Sequence, residues 1–116
     1  MSHIARVWIG STEARRAEEY LEYLHKTGVA DTTSTPGNLG VLVLKRIQNE
    51  VAEFTFISFW KSLEVIQQFA GPDIQRAVYY PEDKDFLLKL DPEVQHYDVS
   101  VATQLHLNEK EEVHQK

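Results

Sequence analysis

The 116-residue chain sets 12 Lys and Arg against 18 Asp and Glu, for a formal net charge of -6, and contains no cysteine. The missing cysteines exclude disulfides, thiolate nucleophiles and cysteine-held zinc or iron–sulfur sites, and fit a reducing compartment. An acidic balance without basic clusters argues against a nucleic-acid partner, and no apolar run approaches the roughly 20 residues of a membrane span. The opening MSHIARVWIG lacks the basic region, apolar stretch and cleavage site of a secretion signal, so cytoplasmic residence is expected. The length suits a single domain, taken as residues 1–105 with a polar tail over 106–116.

The first element, His3 to Gly10, alternates: Ile4, Arg6 and Trp8 point one way, Ala5, Val7 and Ile9 the other, as in a strand. STEARRAEEYLEYLHKTG follows as a helix, capped by Ser11 or Thr12, with Ala14, Ala17, Tyr20, Leu21 and Leu24 as its apolar stripe. Gly28 is its expected left-handed stop, and VADTTSTPGNLG reads as a loop. Val41 to Ile47 and Val51 to Trp60 read as two strands joined by a short turn, hence a hairpin. Ser62 opens a second helix with Leu63, Ile66 and Phe69 inward; Gly71-Pro72 ends it. DIQRAVYY is expected to be a further helical turn or two capped by Asp73, followed by a short helix near Phe86 to Leu90. VQHYDVSVATQL is expected to be the last strand.

The order strand, helix, strand, strand, helix, strand defines an α+β, ferredoxin-like βαββαβ arrangement: one antiparallel sheet with helices on one face. The strands carry large apolar residues at both parities, Phe54 and Phe56 on one side, Ile57 and Phe59 on the other. Strands apolar on both faces need cover on both, and a homodimer packing two sheets together is the simplest cover.

From Ile4 to about Val101 the chain resembles the antibiotic biosynthesis monooxygenase (ABM) superfamily of dimeric α+β barrels. The resemblance rests on element order, on FISFWKSLEVIQQFAGPDIQRA, with its strand ending in Trp-x-Ser before an amphipathic helix, and on HYDV; PGNLG and AVYYPED are similar to an uncharacterised bacterial branch. It implies a dimeric barrel and a cofactor-independent monooxygenase acting on a small aromatic or polyketide-like substrate, with no metal and no cofactor. The heme-degrading branch of the superfamily places a tryptophan and a ligand histidine where this chain has Phe69 and Tyr79, and an asparagine in a first strand that here reads HIARVW. Heme binding or degradation is therefore the weaker expectation.

The candidate catalytic residues are His96 and Tyr79; Arg6, Trp8, Trp60 and Phe69 are candidates for substrate binding. His96 and Asp98 share one face of the last strand, Arg6 and Trp8 one face of the first. If the two faces coincide they form a polar–aromatic patch, in which an imidazole could take a phenol proton and leave an electron-rich phenolate for dioxygen. The alternative is a structural histidine bonded to its strand neighbour or across a dimer. Tyr79 and Tyr80, as neighbours about 100° apart on a helical turn, would not both face one cavity. Glu82 and Asp83, after Pro81, read as turn or helix-start acids, and Trp60 equally as packing. No HExxH, phosphate-loop, G-x-S-x-G or dinucleotide motif occurs. An oxygenase predicts an apolar cavity of at least several hundred Å³ reached by His96 or Tyr79; a non-catalytic ligand-binding or structural homodimer predicts those side chains filling the core.

Overall fold

The computed structural model describes residues 2–107. Strands β1 (Ile4–Glu13), β2 (Asn38–Gln48), β3 (Val51–Trp60) and β4 (Gln95–Asp98) form one antiparallel sheet in the order β2-β3-β1-β4. A helical crossover, from Ala14 through α1 (Ala17–Leu24) to α2 (Ala30–Thr33), joins β1 to β2, and α3 (Leu63–Ala70) follows β3. A one-turn helix α4 (Asp83–Phe86) precedes β4. This is the expected ferredoxin-like α+β order. No helix among the described residues is long and apolar enough to cross a membrane.

β1 runs three residues beyond its predicted end because Ser11, Thr12 and Glu13 still find partners in Glu53, Ala52 and Val51. Ser11 and Thr12 therefore lie in the strand and cap nothing. The first helical N–H, on Ala14, is instead satisfied by the Glu50 carbonyl in the β2–β3 turn, 2.8 Å away. Nor does Gly28 stop the helix: His25–Val29 form a π turn and helical structure continues to Thr33. Ser62 caps α3 as expected, accepting from the Val65 N–H. Ile66 is fully buried, but Leu63, at the first position of the helix, is 47% exposed and does not face the core. β4 is far shorter than predicted, since its last pairing, Asp98 with Ile4, uses up β1.

DIQRAVYY is not helical. Arg76 bridges to Glu93, Ala77 N–H donates to Pro92 O, and Val94 N–H to Gln75 O, so the segment pairs loosely with the approach to β4. Prolines at 72 and 81 bracket it, and a residue preceding proline avoids the α region. The short helix lies at Asp83–Phe86 rather than 86–90. The tail expected over 106–116 lies outside the described residues from 108 onward.

The helix side of the sheet carries two apolar clusters. One joins Ala17, Tyr20 and Leu24 to Phe54, Phe56 and Phe86. The other sets Ile4 and Trp60 against Ile66, with Phe69 packed alongside. Between them the sheet face is polar: Arg6 pairs with Ser58 and His96 in the strands on either side.

Candidate functional site

β1 projects Arg6 and Trp8 to the helix side, opposite Ser58 and Phe56 of β3. A Cβ on Gly10 would stand 2.3 Å from the Trp8 ring, so the indole lies flat over a position that only glycine leaves open. Its Nε1 donates to Tyr79 Oη at 3.1 Å, the rings meet edge to face at 6.2 Å, and Tyr79 in turn donates to Asp91 O.

The roof is a stripe of four residues on the crossover helix: Tyr20, Leu24, Gly28 and Thr32. In a regular α-helix a four-residue step drifts round the axis by about 40°. The π turn takes up part of that drift and holds all four over the sheet, a use typical of such turns near functional sites. Thr32 is 1% exposed, and its hydroxyl has no partner among the described residues. Its neighbours behave otherwise: Thr27 and Thr33 donate to the carbonyls of Tyr23 and Val29, four residues back, as helical threonines do.

Asp83 enters from α4. It is 4% exposed; Oδ2 accepts from the Tyr80 N–H at 2.7 Å, and Oδ1 has only a 3.5 Å contact with the Tyr20 hydroxyl. Burial pushes the carboxyl above its ordinary pKa, against the opposing pull of those two donors. Tyr80 donates to Asp31 Oδ2 at 2.7 Å; burial and that carboxylate raise its phenol.

Arg6 is 4% exposed. It donates to Ile74 O, to Arg76 O at 2.9 Å and toward His96 Nε2 at 3.1 Å, with the Phe69 ring centroid 5.7 Å away. Among the described residues no carboxylate pairs with it. Burial lowers its pKa to about 10, so it is a cation at neutral pH. His96 is held below its ordinary pKa by burial and by the Arg6 charge. Its Nε2 is therefore a neutral acceptor, already occupied.

Arg6, Trp8, Phe69 and Tyr79 line one half-open cavity, together with Thr32, Tyr80 and Asp83. The cavity holds about 50 Å³, room for a few waters, well short of the several hundred Å³ expected. His96 and Trp60 are not in its wall. The imidazole backs Arg6 from β4, and Trp60 is fully buried, bonded through Nε1 to Ser58 Oγ at 2.8 Å and packed at a tilt on Phe69. The expected meeting of the β1 and β4 faces occurs through Arg6 and His96. Tyr79 and Tyr80 both line the cavity, from a segment without regular secondary structure, against the expectation that neighbours would not share it. Sequence reasoning passed over Asp83 and Thr32. Asp83, Phe86 and Leu87 recur at helical spacing and are all buried; that spacing, with Asp83 in an apolar stripe's inward position, is the signal that singles it out from Glu82.

Searches of solved structures place this arrangement among known folds. The chain has the fold of ABM-like proteins. A candidate antibiotic biosynthesis monooxygenase from Bacillus cereus superposes with a TM-score of 0.64 at 12% identity, covering 90% of this chain and 100% of that one. A conserved protein from Methanosarcina mazei Go1 gives 0.61 at 21% identity, covering 84% and 92%. The heme degrader MhuD from Mycobacterium tuberculosis, with two hemes bound in its active site, gives 0.53 at 18% identity, covering 87% and 99%. No family model and no curated protein matches the chain.

Proposed function

We propose that the chain is an ABM-type oxygenase that works as a homodimer, without a bound metal or cofactor, on a small aromatic or polyketide-like substrate held between sheet and helices. The observation that carries this reading is the cavity itself: a half-open, mainly apolar space lined by a buried carboxylate, Asp83, whose Oδ1 has only the 3.5 Å contact with Tyr20. Asp83 replaces His96 as the base, because the imidazole lies behind Arg6 with Nε2 occupied. A carboxylate whose pKa is raised by burial can take a proton from an acidic phenol or enol, and the resulting anion is electron-rich enough to reduce dioxygen. Trp8, Phe69 and Tyr79 supply the apolar walls.

At about 50 Å³ the cavity admits the reacting end of a substrate but not a fused ring system. A whole substrate therefore enters with displacement of residues 71–80, which lack regular secondary structure apart from the Arg76 bridge. Oxygen consumption with hydroxynaphthalene and anthrone substrates, with products identified by mass spectrometry, tests the reading. Uptake that falls about 100-fold or more in Asp83→Asn supports it; no uptake above buffer with any of them removes it.

A non-catalytic ligand-binding dimer is favoured by one observation: the hydroxyl of Tyr79 is committed on both sides, to Trp8 and to Asp91. In that case ligands bind but oxygen is not consumed. Heme fits poorly. Tyr79 occupies the position that resembles the ligand histidine of heme degraders, and its oxygen is engaged by Trp8 and Asp91. Micromolar hemin should give no Soret shift.

A further inference from the structure

We infer that the ligand of this cavity carries a carboxylate, seated on Arg6, and a second polar group that hydrogen-bonds Thr32. The inference rests on the cavity being a ligand site and adds the chemistry that site selects.

A buried cation without a counter-charge is costly, and proteins pair such groups. Among the described residues Arg6 meets two carbonyls, one imidazole nitrogen and an aromatic face but no anion; Asp83 lines the same cavity without an ion pair to Arg6. Those contacts use three of the five N–H donors of the guanidinium and leave two over, and Arg6 lines the cavity. A planar guanidinium recognises a carboxylate through paired hydrogen bonds that a neutral amide only partly reproduces. The backing contacts are neutral acceptors, so they hold the arginine without quenching its charge. The neutral state of His96 matters here: a protonated ring would oppose Arg6 rather than accept from it.

Thr32 makes the second, independent argument. Its hydroxyl is buried in the same wall and unpartnered, although the usual carbonyl partner of a helical threonine is one turn away. An orphaned buried hydroxyl costs stability, and a ligand group in the cavity would satisfy it. The two groups together describe a polar, anionic ligand rather than a hydrocarbon.

The test is binding, separate from turnover. Benzoate and its neutral isostere benzamide are titrated into the intact protein while the Trp8 indole N–H is followed by NMR. Benzoate is expected to shift that resonance saturably and benzamide to bind at least ten-fold more weakly. Arg6→Gln should abolish the preference and Arg6→Lys should keep part of it. Thr32→Val should leave the benzoate preference intact but remove the extra affinity of 3-hydroxybenzoate over benzoate. Equal binding of benzoate and benzamide overturns the inference and leaves the oxygenase reading standing. Equal affinity of the two hydroxylated and unhydroxylated acids in the unmodified protein overturns the Thr32 part. If neither benzoate nor benzamide moves Trp8, both the inference and the cavity as a ligand site fail. Should Arg6→Gln not fold, the benzoate–benzamide pair on the unmodified protein decides alone.

Discussion

Two residues of the cavity region give opposite pH signatures. Asp83 has its pKa raised by burial, so the fold binds its proton more tightly than the unfolded chain does. The stability this contributes is complete below the ordinary carboxyl pKa near 3.8 and is lost as pH rises through the raised value. Asp83→Asn keeps an acceptor for the Tyr80 N–H and removes that loss; urea midpoints of the variant should gain on the parent as pH climbs from about 4 to 7. His96 runs the other way. Its lowered pKa gives stability that is present above 6.5 and lost as pH falls through the depressed value. His96→Asn, which still offers Arg6 an oxygen, should flatten the acid side of the same curve. Thr32→Val removes an unsatisfied hydroxyl and should stabilise the empty protein by about 1 kcal/mol, a gain read by the same denaturation. An unchanged or lower midpoint would mean that the hydroxyl has a partner.

At the scale of elements, two glycines carry specific loads. Gly37 has φ 93° and would place a Cβ 2.6 Å from Val65 of α3. Gly37→Ala thus combines a left-handed backbone with a clash at the β2–α3 junction, and should cost about 1–3 kcal/mol. Gly10→Ala would push the Trp8 indole off its seat, breaking the bond to Tyr79; a changed Trp8 emission with little loss of stability is the expected result. Legibility in the sequence followed the same lines. β3 was readable to the residue because its period-two pattern and its turn agree. The ends of β1 and β4 were not, since they depend on how much neighbouring backbone remains to pair with. The Tyr79–Tyr80 segment misled through its composition: DIQRAV suits a helix, but Arg6, 70 residues away, holds the Arg76 carbonyl in an extended chain.

For the molecule as a whole, the sheet face away from the helices is the surface the proposed homodimer would use. Val7, Ile9, Leu42, Leu44, Ile57 and Phe59 lie on it, with Ile9 and Leu44 half exposed. In the proposed homodimer this face packs on its copy, so the chain should sediment at twice its mass, and Ile9→Glu with Leu44→Glu should give a folded monomer. A monomeric parent would remove the dimer. The overall architecture was legible because alternating strands and an amphipathic helix state it directly. The site was half legible: Arg6 and Trp8 announced themselves by strand parity, whereas Thr32 sat in what reads as a loop. The π turn at His25–Val29 explains that blind spot and has a further meaning. It amounts to one surplus residue threaded into a helix that would otherwise be regular. A chain one residue shorter there would hydrogen-bond as a regular helix, and Thr32 would follow Leu24 by seven residues, two turns on and within about 20° of its direction, so it would stay in the roof. The turn thus absorbs its extra residue without moving the roof: the pocket's polarity should survive a one-residue deletion there and be lost on Thr32→Val.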